Sequence, residues 1–108
     1  MPLAVFLTDD AAGYLDELYD CITLDDAPGK ADYVLERIEK AFSSLSESPE
    51  RGAYPKELLP LGIREYREIF FKPYRVIYRM LDNNITILLV VDGRRDMQML
   101  LERRLLAR

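Results

Sequence analysis

The sequence predicts an α+β fold in the order β-α-α-β-β-β-α, and three observations carry that prediction. Apolar residues recur at helical spacing over positions 11–22 and again over 31–45. Segments rich in aromatic and β-branched residues then follow one another between positions 66 and 91, and the chain closes on a further helical stripe. A length of 108 residues suffices for a core without disulfides or metal, so a single domain spanning residues 1–108 is expected.

The run Leu3 to Leu7 is apolar and rich in strand formers, and it ends at Thr8-Asp9-Asp10. Thr8 is placed to cap a helix whose first turn carries two carboxylates, where the helix dipole favours negative charge. Ala11, Tyr14, Leu15, Leu18, Tyr19 and Ile22 then line one stripe, with Asp16, Glu17 and Asp20 pointing away. Turn residues from Asp25 to Gly29 interrupt the pattern. A second stripe of Ala31, Val34, Leu35, Ile38, Ala41, Phe42 and Leu45 makes the two helices an antiparallel hairpin. Its acidic outer face reads as the solvated side.

Pro49, Gly52, Pro55 and Pro60 mark residues 46–61 as an irregular connection, pinned by anchors among Tyr54, Leu58, Leu59 and Leu61. A strand from Tyr66 to Phe71 precedes a break at Lys72-Pro73. In the next strand, Tyr74 to Leu81, the residues Tyr74, Val76, Tyr78 and Met80 share one face, and Arg75, Ile77, Arg79 and Leu81 the other. Asp82-Asn83-Asn84 tolerate positive φ and predict a tight hairpin into the strand Ile85 to Val91. That strand is apolar at nearly every position, as a central strand buried on both faces would be. The helical hairpin supplies one cover. For the other, Asp96 is placed to cap a helix over 96–108 whose stripe of Met97, Leu100, Leu101 and Leu105 is widened by Met99 and Leu106. This stripe either closes the sheet or meets a partner.

Composition removes many functions. Histidine is absent, which excludes Ser/His/Asp and Cys/His triads and histidine-ligated zinc. The single Cys21 cannot close an internal bridge, so a reducing compartment and no redox role are expected. There is no GxxxxGK[ST], no GxGxxG and no internal repeat, and no cofactor is expected. No stretch reaches the roughly eighteen apolar residues of a membrane span, and no leader pattern opens the chain, so a cytoplasmic location is expected. Any catalysis must come from Arg, Lys, Tyr or carboxylates. The net charge of −4 is uneven: residues 1–61 hold five Lys+Arg against thirteen Asp+Glu, and residues 62–108 hold ten against six. A positive carboxyl-terminal half suits phosphate or an acidic partner, whereas a domain built to grip nucleic acid is usually basic throughout.

Taken in order, LDELYDCI, ERIEKAFSSLSESPERG, LLPLGIREYREI, PYRVIYR and ILLVVDGRRD resemble the RelE/ParE toxin superfamily of bacterial type II toxin-antitoxin modules, in its ParE-like plasmid-stabilisation branch. The resemblance covers essentially the whole chain. It implies a four-stranded antiparallel sheet packed under an N-terminal helical hairpin, with a C-terminal helix. It also implies a growth-arresting toxin neutralised by a cognate antitoxin, as a homodimer or a toxin-antitoxin hetero-oligomer. RelE-like members cleave messenger RNA on the ribosome, and ParE-like members poison DNA gyrase.

For RNA cleavage the resemblance matches Arg75 and Arg94 to two arginines of the cleavage pattern and sets Arg67 near where that pattern has lysines, cations that bind phosphate and stabilise charge. Leu100, however, stands where that pattern has a tyrosine, and Asp92 where many relatives have a histidine. Tyr74 and Tyr78 remain as hydroxyl candidates, with sheet packing their expected role. Gyrase inhibition is therefore the expected activity, with a ribosome-dependent endoribonuclease and a degenerate, non-toxic binding module as alternatives. The surface expected to meet target or antitoxin comprises Lys72, Arg94, Arg95, Met97, Leu101, Arg104 and Leu105. Pairing with Glu65, Glu68, Asp92 or Asp96 is the competing role for the arginines: it is favoured for Arg75 and weighs equally for Arg94.

Overall fold

A computed structural model describes residues 3–25, 29–93 and 96–106. The N-terminal apolar run forms β1 (Ala4–Leu7), which feeds directly into α1 (Asp9–Asp25). Thr8 caps α1, its Oγ1 accepting the Ala11 N–H at 3.0 Å, ahead of Asp9 and Asp10 in the first turn. Of the predicted turn, Asp26, Ala27 and Pro28 lie outside the described residues. Gly29, at φ 89°, precedes α2 (Lys30–Glu47), which buries Ala31, Val34, Ile38, Phe42 and Leu45 at the predicted spacing. The Tyr19 hydroxyl donates to Asp32 Oδ1 at 2.9 Å and ties the two helices together.

The strands β2 (Arg67–Phe71), β3 (Tyr74–Leu81) and β4 (Asn84–Asp92) complete a four-stranded sheet in the order β1-β4-β3-β2. Two tight turns join them in antiparallel sequence. Lys72 and Pro73 form the first, so the predicted break is the hairpin turn itself. Asp82 and Asn83, at φ 52° and 63°, form the second, in the left-handed geometry that matches strand twist.

The expectation of an antiparallel sheet needs one correction: β1 runs parallel to β4, with Ala4 opposite Asn84 and Leu7 opposite Ile87. The two hairpin turns fix the direction of β4, and β1 takes the edge that β4 leaves free. Its orientation is thus decided by long-range topology, and nothing within residues 3–7 encodes it. The double-sided apolar character of β4 is what a strand in such a position requires.

The sheet separates two cores. On one face Ile69, Val76, Tyr78, Ile85, Ile87 and Val90 pack against the helical hairpin. On the other, Ile77, Leu89 and Val91 pack against Met97, Leu100 and Leu101, together with Leu58 and Tyr66. The two-face assignment of β3 holds as predicted. In β4 a bulge intervenes: Ile77 pairs with Leu89 but Tyr78 with Ile87, leaving Leu88 without a partner. Ile85 and Ile87 before the bulge and Val90 after it therefore reach the same core.

Met97, Leu100 and Leu101 of the terminal stripe close the sheet, whereas Met99 faces solvent, and the Leu106 side chain and residues 107–108 of the expected helix lie outside the described residues. The stripe forms α3 (Met97–Leu101), capped by Asp96, whose Oδ1 accepts the Met99 N–H at 3.2 Å. From Glu102 to Leu106 the winding changes to a π-helical turn. Among the described residues no helix is long and apolar enough to cross a membrane.

Candidate functional site

The residues that draw attention gather on the β2–β3 hairpin beneath the loop that precedes it. Antiparallel pairing sets Phe70 opposite Arg75 and Glu68 opposite Ile77, so Glu68, Phe70 and Arg75 lie on the face that carries the second core. Arg75 Nε and Nη2 donate to the two carboxylate oxygens of Glu68 at 2.6 and 2.7 Å. Its Nη1 and Nη2 also donate to the two oxygens of Glu57, both at 2.9 Å. The three side chains are only 7% (Arg75), 3% (Glu68) and 11% (Glu57) exposed. Two carboxylates around one guanidinium leave the cluster one negative charge in excess.

Electrostatics follows from this geometry. The hydrogen bond from Arg75 holds the Glu57 carboxyl below its ordinary value, against an opposing effect of burial. Glu57, and Glu68 after it, push the Arg75 guanidinium further above its own, so Arg75 is charged at every pH of interest. Because the Glu57 pKa is depressed in the folded state, its stabilising contribution is full above the ordinary value of 4.5 and is lost as pH falls through the lower folded value. Glu57→Gln is therefore expected to lower stability at pH 7 and to flatten the loss on acidification below about pH 5. Urea unfolding at pH 7 and pH 4 measures both; equal losses at the two pH values would contradict the assignment.

A second set of contacts pins the same loop. Tyr78 is fully buried, yet its hydroxyl donates to Pro49 O at 2.7 Å and accepts the Gly52 N–H at 3.0 Å. Burial pushes its phenol up from the usual 10.0. Arg67 Nη1 donates to Gly52 O at 2.9 Å, and its guanidinium stacks 4.6 Å from the Tyr54 ring. Gly52 is required by this proximity: a Cβ there would collide with the Tyr78 hydroxyl and stand 2.8 Å from Glu68 O. Ala53 and Glu68 then exchange backbone hydrogen bonds of 3.0 and 2.8 Å as an isolated bridge on the outer edge of β2. Of the four predicted anchors, only Leu58 is buried.

Between loop and hairpin lies a cleft of about 500 Å³, lined by Ala53, Tyr54, Lys56, Glu68, Phe70, Lys72, Pro73, Arg75 and Gly93. Lys56 and Lys72 stand exposed at its rim, and Phe70 is 57% exposed. Gly93 closes one end, its N–H donating to Pro73 O at 2.7 Å; a Cβ there would stand 2.8 Å from the Arg75 side chain.

The predicted site residues are dispersed. Arg67 and Arg75 lie under the loop and Lys72 at the cleft rim, as described. Met97 and Leu101 are buried in the second core, where they hold the sheet and present no surface. Leu105 is half-buried against that core, and Arg104 reaches back to lie 5.7 Å from the Tyr14 ring on α1. Arg94 and Arg95 lie outside the described residues. On α3 the large apolar side chain offered to solvent is Met99, 56% exposed. Glu68 was among the partners expected for Arg75, and Glu57 was not. No local pattern singles out Glu57; it lies between Pro55 and Leu58, both of which the fold buries.

A four-stranded sheet with a helical hairpin on one face and a short terminal helix on the other is a fold shared with solved structures. A toxin-antitoxin complex described as "Chromosomal ParDE TA system from P. aeruginosa" superposes with a TM-score of 0.69 at 23% identity, covering 83% of this chain and 95% of the other. The RelBE2 toxin-antitoxin complex from Mycobacterium tuberculosis superposes with 0.58 at 26% identity, covering 85% and 99%. An E. coli RelE mutant in the free state shares the fold, with 0.63 at 17% identity over 92% of each chain. The family described as "ParE toxin of type II toxin-antitoxin system, parDE" matches residues 5–97. Toxin ParE3 of Caulobacter vibrioides is 31% identical over 93 residues, covering 86% of this chain and 89% of that protein. The chain belongs to the ParE family of type II toxin-antitoxin toxins.

Proposed function

We propose that this toxin acts by binding and poisoning DNA gyrase, that a cognate antitoxin neutralises it, and that it does not cleave RNA. The observation that carries this reading is the engagement of Arg75. A guanidinium that binds phosphate must offer open N–H groups, and this one is enclosed by Glu57 and Glu68 within a cluster of net negative charge. Arg67 is likewise engaged with Gly52 O and Tyr54. Leu100, at the position where the nuclease pattern has a tyrosine, is buried in the second core and carries no acid or base. The overall charge of −4 also opposes docking onto a polyanion such as the ribosome.

Arg94 and Arg95 follow Gly93 at the closed end of the cleft in sequence, and we assign them, with Lys72, to the contact with the target. Purified toxin is expected to inhibit supercoiling by gyrase and to accumulate cleaved DNA. The R94A/R95A double variant should lose inhibition while its thermal midpoint stays within a few degrees. Intact supercoiling at saturating toxin would refute the reading. Codon-positioned cuts in primer extension, lost in Arg94→Ala, would favour the endoribonuclease instead.

A further inference from the structure

The outer edge of β1, at the far side of the sheet from β2, is closed at one residue and open at the next two that face the same way. In a parallel pair every second residue turns both its N–H and its C=O towards the neighbour, and the Thr8 N–H on Ile87 O places Thr8, and with it Phe6 and Ala4, on the β4 side. Leu3, Val5 and Leu7 therefore direct theirs outward. Leu3 is closed off there, its N–H donating to Ser46 O at 3.0 Å and its C=O accepting the Ser46 hydroxyl at 2.7 Å. Among the described residues no hydrogen bond reaches the outward groups of Val5 or Leu7. Strand edges are ordinarily blunted by charge, proline or a bulge, and Ala4-Val5-Phe6-Leu7 carries none of these. Its Phe6 ring is instead 54% exposed and Leu7 37%.

The open window is short, bounded by Ser46 before it and by the turn of Thr8 into α1 after it. A window with open groups at Val5 and Leu7 and none at Phe6 between them is complementary to itself. A two-fold axis at Phe6 sets Val5 of one copy opposite Leu7 of the other, and the reverse, and each of these pairs exchanges two main-chain hydrogen bonds. Phe6 then falls at the non-hydrogen-bonded position, where the Cα atoms of an antiparallel pair approach to about 4.5 Å and side chains stand closest. Two exposed rings meet there as a cross-strand aromatic pair. We propose that a second copy of this chain occupies the β1 edge in antiparallel register, joining the two sheets into one. On the helical side a cleft of about 540 Å³ beside β1 is lined by Leu7, Leu15 and Phe42 together with Asp16, Asp20 and Glu39. Pairing covers its apolar end and sets the acids of both copies on the same side of the joint. The association is thus apolar and main-chain in origin, and charge opposes it.

The test is sedimentation velocity of the whole protein across micromolar to millimolar concentrations, with amide exchange measured on the same samples. A reversible monomer–dimer equilibrium is expected, and it should tighten as added salt screens the acids. Exchange at Val5 and Leu7 should slow as the dimer fills, because their N–H groups pass from water into the joint. Phe6→Ala should weaken the dimer by about tenfold, as the loss of one well-packed aromatic pair would. Val5→Pro removes an outward donor and none of those facing β4, and it should weaken the dimer at least as much. Thermal midpoints of dilute samples separate lost pairing from lost folding; if Val5→Pro lowers its midpoint, Phe6→Ala and the exchange data decide alone. A monomer at every concentration would overturn the proposal and leave the edge to a different protein. Slow exchange at Val5 and Leu7 that ignores concentration would mean that the chain covers its own edge, and also overturns it. A dimer without that protection, one indifferent to Phe6→Ala, or one that salt dissociates would be held at another surface or by ion pairs; each refutes the pairing. The measurement contains no gyrase, so its outcome is independent of the target assigned above.

Discussion

Replacing Arg75 with alanine is expected to destabilise the fold by about 3–5 kcal/mol, because it strands two carboxylates in a site built around their counter-charge. Glu57 and Glu68 are 11% and 3% exposed and draw their side-chain partners from this one guanidinium. Removing it leaves two like charges facing each other without solvent. The loop from Pro49 to Leu58 would keep its Tyr78 and Arg67 contacts, so the expected first consequence is release of Glu57 and opening of the cleft. Urea unfolding reads the stability, and faster amide exchange at Ala53 and Leu58 reads the loop. An apolar trio, R75M with E57Q and E68Q, should recover much of the loss, since an isosteric neutral cluster avoids both desolvation and repulsion. A loss below about 1 kcal/mol in Arg75→Ala would show that water enters and screens the site, and the cluster could not then be the reason Arg75 is withheld from phosphate.

The second large effect is expected at the terminal helix. Leu101 is fully buried and packs with Ile77, Leu89 and Val91, so Leu101→Ala should cost about 2–5 kcal/mol, through lost transfer energy and the cavity left behind. Met99 sits two residues away on the same short helix but 56% exposed, and Met99→Ala should stay within about 0.5 kcal/mol. The contrast separates two roles that one apolar stripe could serve. If the helix were a loosely held surface awaiting a partner, both substitutions would be mild in the isolated protein and Leu101→Ala would act only on binding. Paired urea titrations of the two variants decide the matter.

Much of this architecture is written locally. The helical hairpin follows from two stripes at helical spacing, and Thr8 and Asp96 cap the helices where they were expected to. The two faces of β3 follow from strict alternation, and the second hairpin from Asp82 and Asn83. What local pattern does not contain is pairing at a distance. The parallel direction of β1 depends on an edge contributed some 80 residues later. The partnership of Glu57 with Arg75 depends on where a proline-rich loop lands, which Tyr78 and the missing side chain of Gly52 decide. The candidate site was legible in its cations and illegible in their neutralisation. Arginine in a strand announces charge, but only the fold says which carboxylates meet it.

The bulge at Leu88 gives β4 an unusual tolerance. Apart from Thr86, Ile85 to Val91 is apolar on both sides of the sheet, so a one-residue slip would mostly exchange one hydrophobic side chain for another. Burial alone therefore cannot act as the strand's error check. That task falls to its two ends: the left-handed pair Asp82–Asn83 counts residues at the start, and the Gly93 N–H closing onto Pro73 O verifies the count at the finish. A slip would carry the finish out of place and break the Gly93–Pro73 hydrogen bond. The bulge absorbs the one residue by which the two checkpoints would otherwise disagree.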